Sequence, residues 1–156
     1  MKNITYLLCT LMVTFFVACK KNYDMIPAPN PADYETPTGP RFTAIYMVGD
    51  ATSAAWNIDN AIPIQKSATN PNIFIWEGEL KLGEIKFPLN KKGDWESPFF
   101  MATKPNSLLD IDVAMPMRYS ALGDGGADDK WKVQKEGTYR IIIDGVKETL
   151  LVEVKK

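Results

Sequence analysis

The chain contains no histidine, which takes away the usual general base and the commonest metal ligand together. A Ser-His-Asp triad or a zinc site of the ordinary kinds cannot be assembled, and neither a metal nor a cofactor is expected. Cysteine is nearly as scarce. Cys9 and Cys19 both lie in the first nineteen residues, so the remainder is expected to fold without a disulfide and without thiol chemistry. Beyond Phe42 no long stretch carries apolar side chains at helical spacing, which argues against amphipathic helices. No segment is dominated by Lys and Arg, and the formal net charge is −1; a nucleic-acid footprint is missing, and no nucleic-acid partner is expected.

What remains is a chain of 156 residues, 46% hydrophobic and 24% charged, the composition of one globular domain with an attached segment. Met1-Lys2-Asn3 is a short basic start, and Ile4 to Ala18 is an uncharged apolar run with the length of a secretory h-region rather than of a membrane span. Phe16-Val17-Ala18-Cys19 resembles the bacterial lipobox, with Phe16 where leucine is usual. The resemblance implies a lipoprotein signal peptide over residues 1–18 and acylation of Cys19, whose several acyl chains would anchor the protein to a membrane without crossing it. The other reading is a signal peptide cut elsewhere, with Cys19 an idle thiol. Lys20 is not the aspartate associated with inner-membrane retention, so the expected location is the outer membrane, at the cell surface, although Asp24 is the one acidic residue close behind the cysteine.

Residues 19–41 hold Pro27, Pro29, Pro31, Pro37 and Pro40 with no apolar periodicity. They predict an extended linker, at about 3.1 Å per residue a reach of up to roughly 60 Å from the lipid. Residues 42–156 then show short alternating segments punctuated by Gly, Asn, Asp and Pro. The predicted strands fall at about 42–49, 73–80, 84–89, 99–102, 130–134, 137–144 and 149–154. In the first, Ala44, Tyr46 and Val48 share a face; in the third, Ile85, Phe87 and Leu89 do. Asp144-Gly145 supplies turn chemistry for a closing hairpin. About seven short antiparallel strands predict an all-β domain, an immunoglobulin-like β-sandwich.

Candidate chemistry centres on the four tryptophans. Trp76 alternates in phase with Phe74, and Trp131 opens a short strand; both read as core. Trp56 ends Gly49-Asp50-Ala51-Thr52-Ser53-Ala54-Ala55, a loop of small residues, and is either a plug over the end of a sheet or a platform for a flat ligand. Trp95 stands in Lys91-Lys92-Gly93-Asp94-Trp95-Glu96-Ser97-Pro98, among residues that prefer solvent. Exposed indoles on loops suit a sugar, whose apolar C–H face stacks on a ring while its hydroxyls need fixed donors and acceptors. Lys86, alternating with Ile85 and Phe87, is predicted to point outward, as a donor between the rings or as an ordinary solvated lysine.

The order Ile45-Tyr46-Met47-Val48-Gly49-Asp50-Ala51-Thr52, Ala55-Trp56-Asn57-Ile58, Phe74 to Phe87 with its Leu80-Lys81-Leu82-Gly83-Glu84-Ile85-Lys86-Phe87, and Gly137-Thr138-Tyr139-Arg140-Ile141 resembles the domain of the SusE and SusF outer-membrane lipoproteins of starch-utilisation systems. The resemblance runs over roughly residues 43–154. It implies a β-sandwich without enzymatic activity that binds α-glucan through Trp56, Lys86 and Trp95. It also implies partners: the glycan, and an outer-membrane transporter complex in a polysaccharide-uptake system. Members of that family usually carry two or three such domains in tandem; this chain has room for one, and a single site lacks the avidity of linked modules.

Three competing readings stay open. The sandwich is a structural subunit docking on an outer-membrane transporter without sugar binding, with Trp56 and Trp95 as interface anchors. Carboxylate pairs such as Asp94/Glu96 or Asp110/Asp112 form a glycosidase. Asp124-Gly125-Gly126-Ala127-Asp128-Asp129 holds Ca²⁺, although it lacks the alternating acids and closing Glu of an EF-hand loop and reads better as a solvated turn.

Overall fold

The computed structural model describes residues 41–92, 95, 97–121 and 126–156. The expected signal peptide, Cys19, the proline-rich linker up to residue 40, the Asp94/Glu96 pair and Asp124-Gly125 lie outside the described residues. The domain is an all-β, sandwich-like barrel with no α-helix among the described residues; one 3₁₀ turn, Ile58–Asn60, follows Trp56. The strands are β1 Ile45–Met47, β2 Ile62–Lys66, β3 Ile73–Leu80, β4 Gly83–Ile85, β5 Phe87–Pro88, β6 Phe99–Ala102, β7 Ser107–Leu108, β8 Met115–Ser120, β9 Trp131–Val133, β10 Gly137–Asp144 and β11 Thr149–Val154. An eight-stranded sheet runs β1-β2-β3-β10-β11-β8-β6-β5, and a three-stranded sheet runs β4-β9-β7.

The long central pair forms as its alternation predicts. β3 and β10 are antiparallel from Gly137 opposite Leu80 to Asp144 opposite Ile73. Tyr139, Ile141 and Ile143 point inward, as period-two side chains must once one face is buried. β10 and β11 close as a hairpin through residues 145–148, where the Asp144 carboxylate accepts hydrogen bonds from the Val146 and Lys147 N–H groups.

Strands are more numerous than the predicted seven, and those predicted at 42–49, 84–89 and 130–134 are shorter. β2 and β8 contain Pro63 and Pro116, and proline inside a run argues against a strand. Both prolines are exposed, and the neighbours Ile64, Met115 and Met117 supply the buried face. The sandwich is antiparallel except for β7 on β9, which pair in parallel.

One predicted face changes and one predicted strand divides. In β1 it is Ile45 and Met47 that are core, while Tyr46 turns outward. Every residue from Ala44 to Val48 is apolar, so the sequence held no phase. The predicted strand 84–89 is two, β4 and β5, which belong to different sheets. Its apolar face is as expected: Ile85 and Phe87 are fully buried and Leu89, partly buried, packs against the main core. Lys86, however, is a seam. Its N–H and C=O exchange hydrogen bonds of 3.0 Å with those of Val48. That single antiparallel bridge joins β1 to β5, the two ends of the larger sheet.

Candidate functional site

The Val48–Lys86 seam continues into a lock between two loops. The Asp50 carboxylate accepts the Glu84 N–H at 2.6 Å, the Ala51 N–H reaches the Glu84 carbonyl at 3.4 Å, and the Lys81 N–H reaches the Ala51 carbonyl at 2.9 Å. Gly49 has φ +141°, and a Cβ there would stand 1.9 Å from the Glu84 oxygen; one on Gly83, φ +147°, would stand 2.6 Å from an Asp50 oxygen. Both positions therefore need glycine, for close approach as well as for φ. Beyond the lock the chain folds back on itself. The Gly49 N–H donates to the Ala55 carbonyl at 2.8 Å, and Thr52 Oγ1 donates to the Gly49 carbonyl while accepting the Ala54 N–H. This tight loop delivers Trp56.

Asn57 caps the 3₁₀ turn by accepting the Asp59 N–H, and Ile58 drops onto Phe99 and Met101 to form a small cluster separate from the main core. That cluster explains why β6 is buried on both faces: Phe100 and Ala102 face the main core, while Phe99 and Met101 floor a cleft of about 400 Å³. The cleft is lined by Trp56, Lys86, Trp95, Phe99, Met101, Asp128 and Lys130. Its volume lies within the range of small-ligand sites.

All three residues singled out in the sequence stand round this one cleft, but not all as expected. Trp95 is 37% exposed and stacks on Phe99, ring centroids 6.2 Å apart and planes 19° from parallel. Its φ is +62°, a conformation that costs a bulky residue of order 1–3 kcal/mol and recurs at ligand sites. Ala55, beside Trp56, also has positive φ, +49°. Trp56 is half-buried, a wall of the cleft rather than a freely projecting ring. The outward exposure predicted for Lys86 is corrected: its ammonium stands between the two indoles, but the residue is buried, with 6% of its surface exposed. Alternation places it opposite Ile85 and Phe87 as predicted, but a second layer covers that outer face.

The buried ammonium is neutralised in two ways. Lys86 Nζ pairs with Asp128 at 2.9 Å, and it lies 4.3 Å from the Phe99 ring centroid, 4.7 Å from Trp95 and 6.0 Å from Trp56. These are cation–π distances, at which a desolvated cation gains most. Lys130 Nζ lies 5.5 Å from the Trp56 centroid and pairs with Asp128 at 2.8 Å. Arg118 donates through Nη2 to the Ala127 carbonyl, tying down the segment that carries Asp128. Burial by itself would raise the Asp128 pKa; hydrogen bonds from Lys130 and Lys86, with their charges, outweigh it and hold the carboxyl below its usual value.

Phe99, Met101, Asp128 and Lys130 line the cleft without being marked by the sequence pattern. In the sequence Asp128 belongs to an acidic glycine turn, and nothing local in that turn marks a partner 42 residues away. Asp110 and Asp112 lie apart from the cleft, on an exposed segment. No group of three or more metal-ligating side chains occurs among the described residues. Trp131 is buried, its ring 5.4 Å from Phe87, and Trp76 packs half-buried against the main core.

A solved structure with a similar fold is SusF from Bacteroides thetaiotaomicron, matched with a TM-score of 0.52 at 18% identity over 69% of this chain and 23% of that one. The domain thus has a SusF-like fold. The chain spans about a quarter of the SusF length, and at this identity the likeness is one of fold. No family model matches the chain, and no curated protein matches its sequence.

Proposed function

We propose that this domain is a non-catalytic glycan-binding module, taking α-glucan oligosaccharides in the cleft between Trp56 and Trp95, and that Cys19 anchors it to the outer membrane as an accessory of a polysaccharide-uptake system. The observation that carries the reading is two indoles flanking one open cleft with fixed ionic groups between them. Rings held by a buried cation and a hydrophobic floor are preorganised, which lowers the entropy lost on binding. The SusF-like fold supports the same reading, as does the resemblance carried by the Val48-Gly49-Asp50-Ala51-Thr52 and Leu80-Lys81-Leu82-Gly83-Glu84-Ile85-Lys86-Phe87 segments.

Stacking on an aromatic ring is worth about 1–3 kcal/mol for a nucleobase, and a sugar face belongs near the lower end. Trp56→Ala and Trp95→Ala are each expected to weaken binding of a linear malto-oligosaccharide roughly fivefold to thirtyfold, since 1.4 kcal/mol is about tenfold. Calorimetric titration measures this. Wild-type affinity in both variants would instead make the rings interface anchors of a subunit that docks on a transporter.

The anchor is tested separately. Among the described residues no helix is long and apolar enough to cross a membrane. Metabolic labelling with a fatty-acid analogue is expected to mark the protein and to fail on Cys19→Ala; equal labelling of both would remove the lipid from the proposal.

A further inference from the structure

We propose that Asp128 is the hydroxyl acceptor of this cleft and that it selects uncharged sugars over acidic ones. The inference rests on the glycan reading above and adds the residue that sets the class of sugar. Its ground is the order in which the three ionic groups meet solvent: the side chain of Lys86 is 8% exposed, that of Lys130 21%, and that of Asp128 55%. Of the three, the carboxylate is the group a ligand meets first.

Donor and acceptor capacity point the same way. Lys86 Nζ gives one hydrogen bond to Asp128 Oδ1 and otherwise faces aromatic rings. Lys130 Nζ reaches both Asp128 Oδ2, at 2.8 Å, and the Asp128 carbonyl, at 2.9 Å. An ionised carboxylate offers about four acceptor sites and donates nothing. Among the described residues the two lysines take one on each oxygen, which leaves about two for hydroxyl donors, enough for a pair of neighbouring hydroxyls on a sugar stacked against Trp56 or Trp95. The same lysines keep the group ionised and fixed in place, so it accepts without reorganising.

Among the described lining residues two ammonium groups stand against one carboxylate, a positive balance that draws anions from a distance. Contact is decided at closer range. The carboxylate of a uronic acid, on reaching the rings, lies against the exposed Asp128, while the compensating ammonium groups stand behind it already paired. Neutral sugars meet an acceptor; acidic sugars meet a like charge, and juxtaposed like charges are what interfaces use to reject a wrong ligand.

The experiment is calorimetric titration of the full chain in detergent with maltoheptaose and with hexagalacturonate, for the wild type, Asp128→Asn and Asp128→Glu. The wild type is expected to bind maltoheptaose at least tenfold more tightly than hexagalacturonate. Asp128→Asn is expected to lose roughly tenfold or more for maltoheptaose, the loss of hydrogen bonds to a charged acceptor, and to gain for hexagalacturonate as both lysines lose their counter-ion. Asp128→Glu keeps the charge balance that neutralises buried Lys86, and so keeps the fold. By moving the carboxylate one methylene it is expected to lose at least threefold for maltoheptaose without gaining hexagalacturonate. Wild-type affinity for maltoheptaose in both variants, or a wild type that takes hexagalacturonate as well as maltoheptaose, overturns the role of Asp128 and leaves the glycan reading intact. A wild type that binds neither sugar overturns the glycan reading for these ligands and this inference with it.

Discussion

Lys86→Ala is expected to destabilise the domain by about 2–4 kcal/mol, because truncating a long buried side chain leaves a cavity and removes the buried member of an ion pair. The full penalty for breaking such a pair does not apply. Asp128 is more than half exposed and keeps Lys130, so its charge is not stranded. Lys86→Met, which retains the stem and loses only the ammonium, is expected to cost about 1–2 kcal/mol, below the range for stranding a buried charge. Urea denaturation separates the two. A change under about 0.5 kcal/mol in Lys86→Ala would return the residue to the solvated lysine that alternation alone suggests. The acid limb carries a second signature. The Asp128 carboxyl is held below its usual value in the folded domain, so it contributes stability that is present above the unfolded value and is lost as pH falls through the folded one. Lys86→Ala removes a hydrogen bond and a charge that lower this pKa, and less stability is then lost between neutral pH and about pH 3, near and below the reference carboxyl value.

The difference between the two readings of Lys86 marks how far the sequence reaches. Alternation places Lys86 opposite Ile85 and Phe87, and in the structure it is opposite them. Whether that opposite face meets water or a second layer depends on what the rest of the chain lays across it. Here Trp56, Trp95 and Phe99 surround the ammonium, brought there by a loop after β1 and a segment before β6. Strands with a strong period-two pattern and no proline, β3, β10 and β11, were legible almost to the residue. β2 and β8 were hidden by Pro63 and Pro116, and β7 by its two-residue length.

Of the site, the two indoles were legible because a large ring among Gly, Asp, Ser and Pro has no local core to enter, whereas Phe99 lies in a strand and reads as core. That Trp56 and Trp95 share a cleft was beyond any local pattern, and so was Asp128, whose partners Lys86 and Lys130 lie on either side of a long stretch of chain. The parts of the lock were visible only inside the two motifs that carry the resemblance, Gly49-Asp50 in one and Gly83-Glu84 in the other, far apart in sequence. Only the structure shows that each glycine is shaped by the other pair, Gly49 by the Glu84 carbonyl and Gly83 by the Asp50 carboxylate. Two motifs that together carry the family resemblance are one physical contact.

That contact makes Gly49→Ala a severe substitution, since among the described glycines an added Cβ there would make the shortest contact. The added Cβ would come within 1.9 Å of the Glu84 oxygen and 2.8 Å of the Glu84 carbonyl carbon and the Ile85 Cα. All three are backbone atoms, so no side chain can rotate away to make room. Retreat of the Glu84 backbone would strain the Asp50 hydrogen bond at 2.6 Å and the paired bonds between Val48 and Lys86. Holding alanine at φ +141° adds strain of about 1–3 kcal/mol, and forcing a methyl into a filled space adds about 1–3 kcal/mol. The expected loss is therefore about 2–6 kcal/mol, which for a domain of ordinary stability is a large fraction of the whole. Gly137→Ala is the control: its nearest non-neighbouring atom would stand at 3.6 Å, ordinary contact, at a backbone angle open to any residue. It is expected to stay within about 1 kcal/mol of the wild type. Because Gly49 fixes both the loop that delivers Trp56 and the bridge that seats Lys86, the fraction of Gly49→Ala protein that still folds is expected to have lost glycan binding as well, whereas Gly137→Ala keeps it. Urea midpoints that coincide for the two variants would show that the lock does not hold the seam closed.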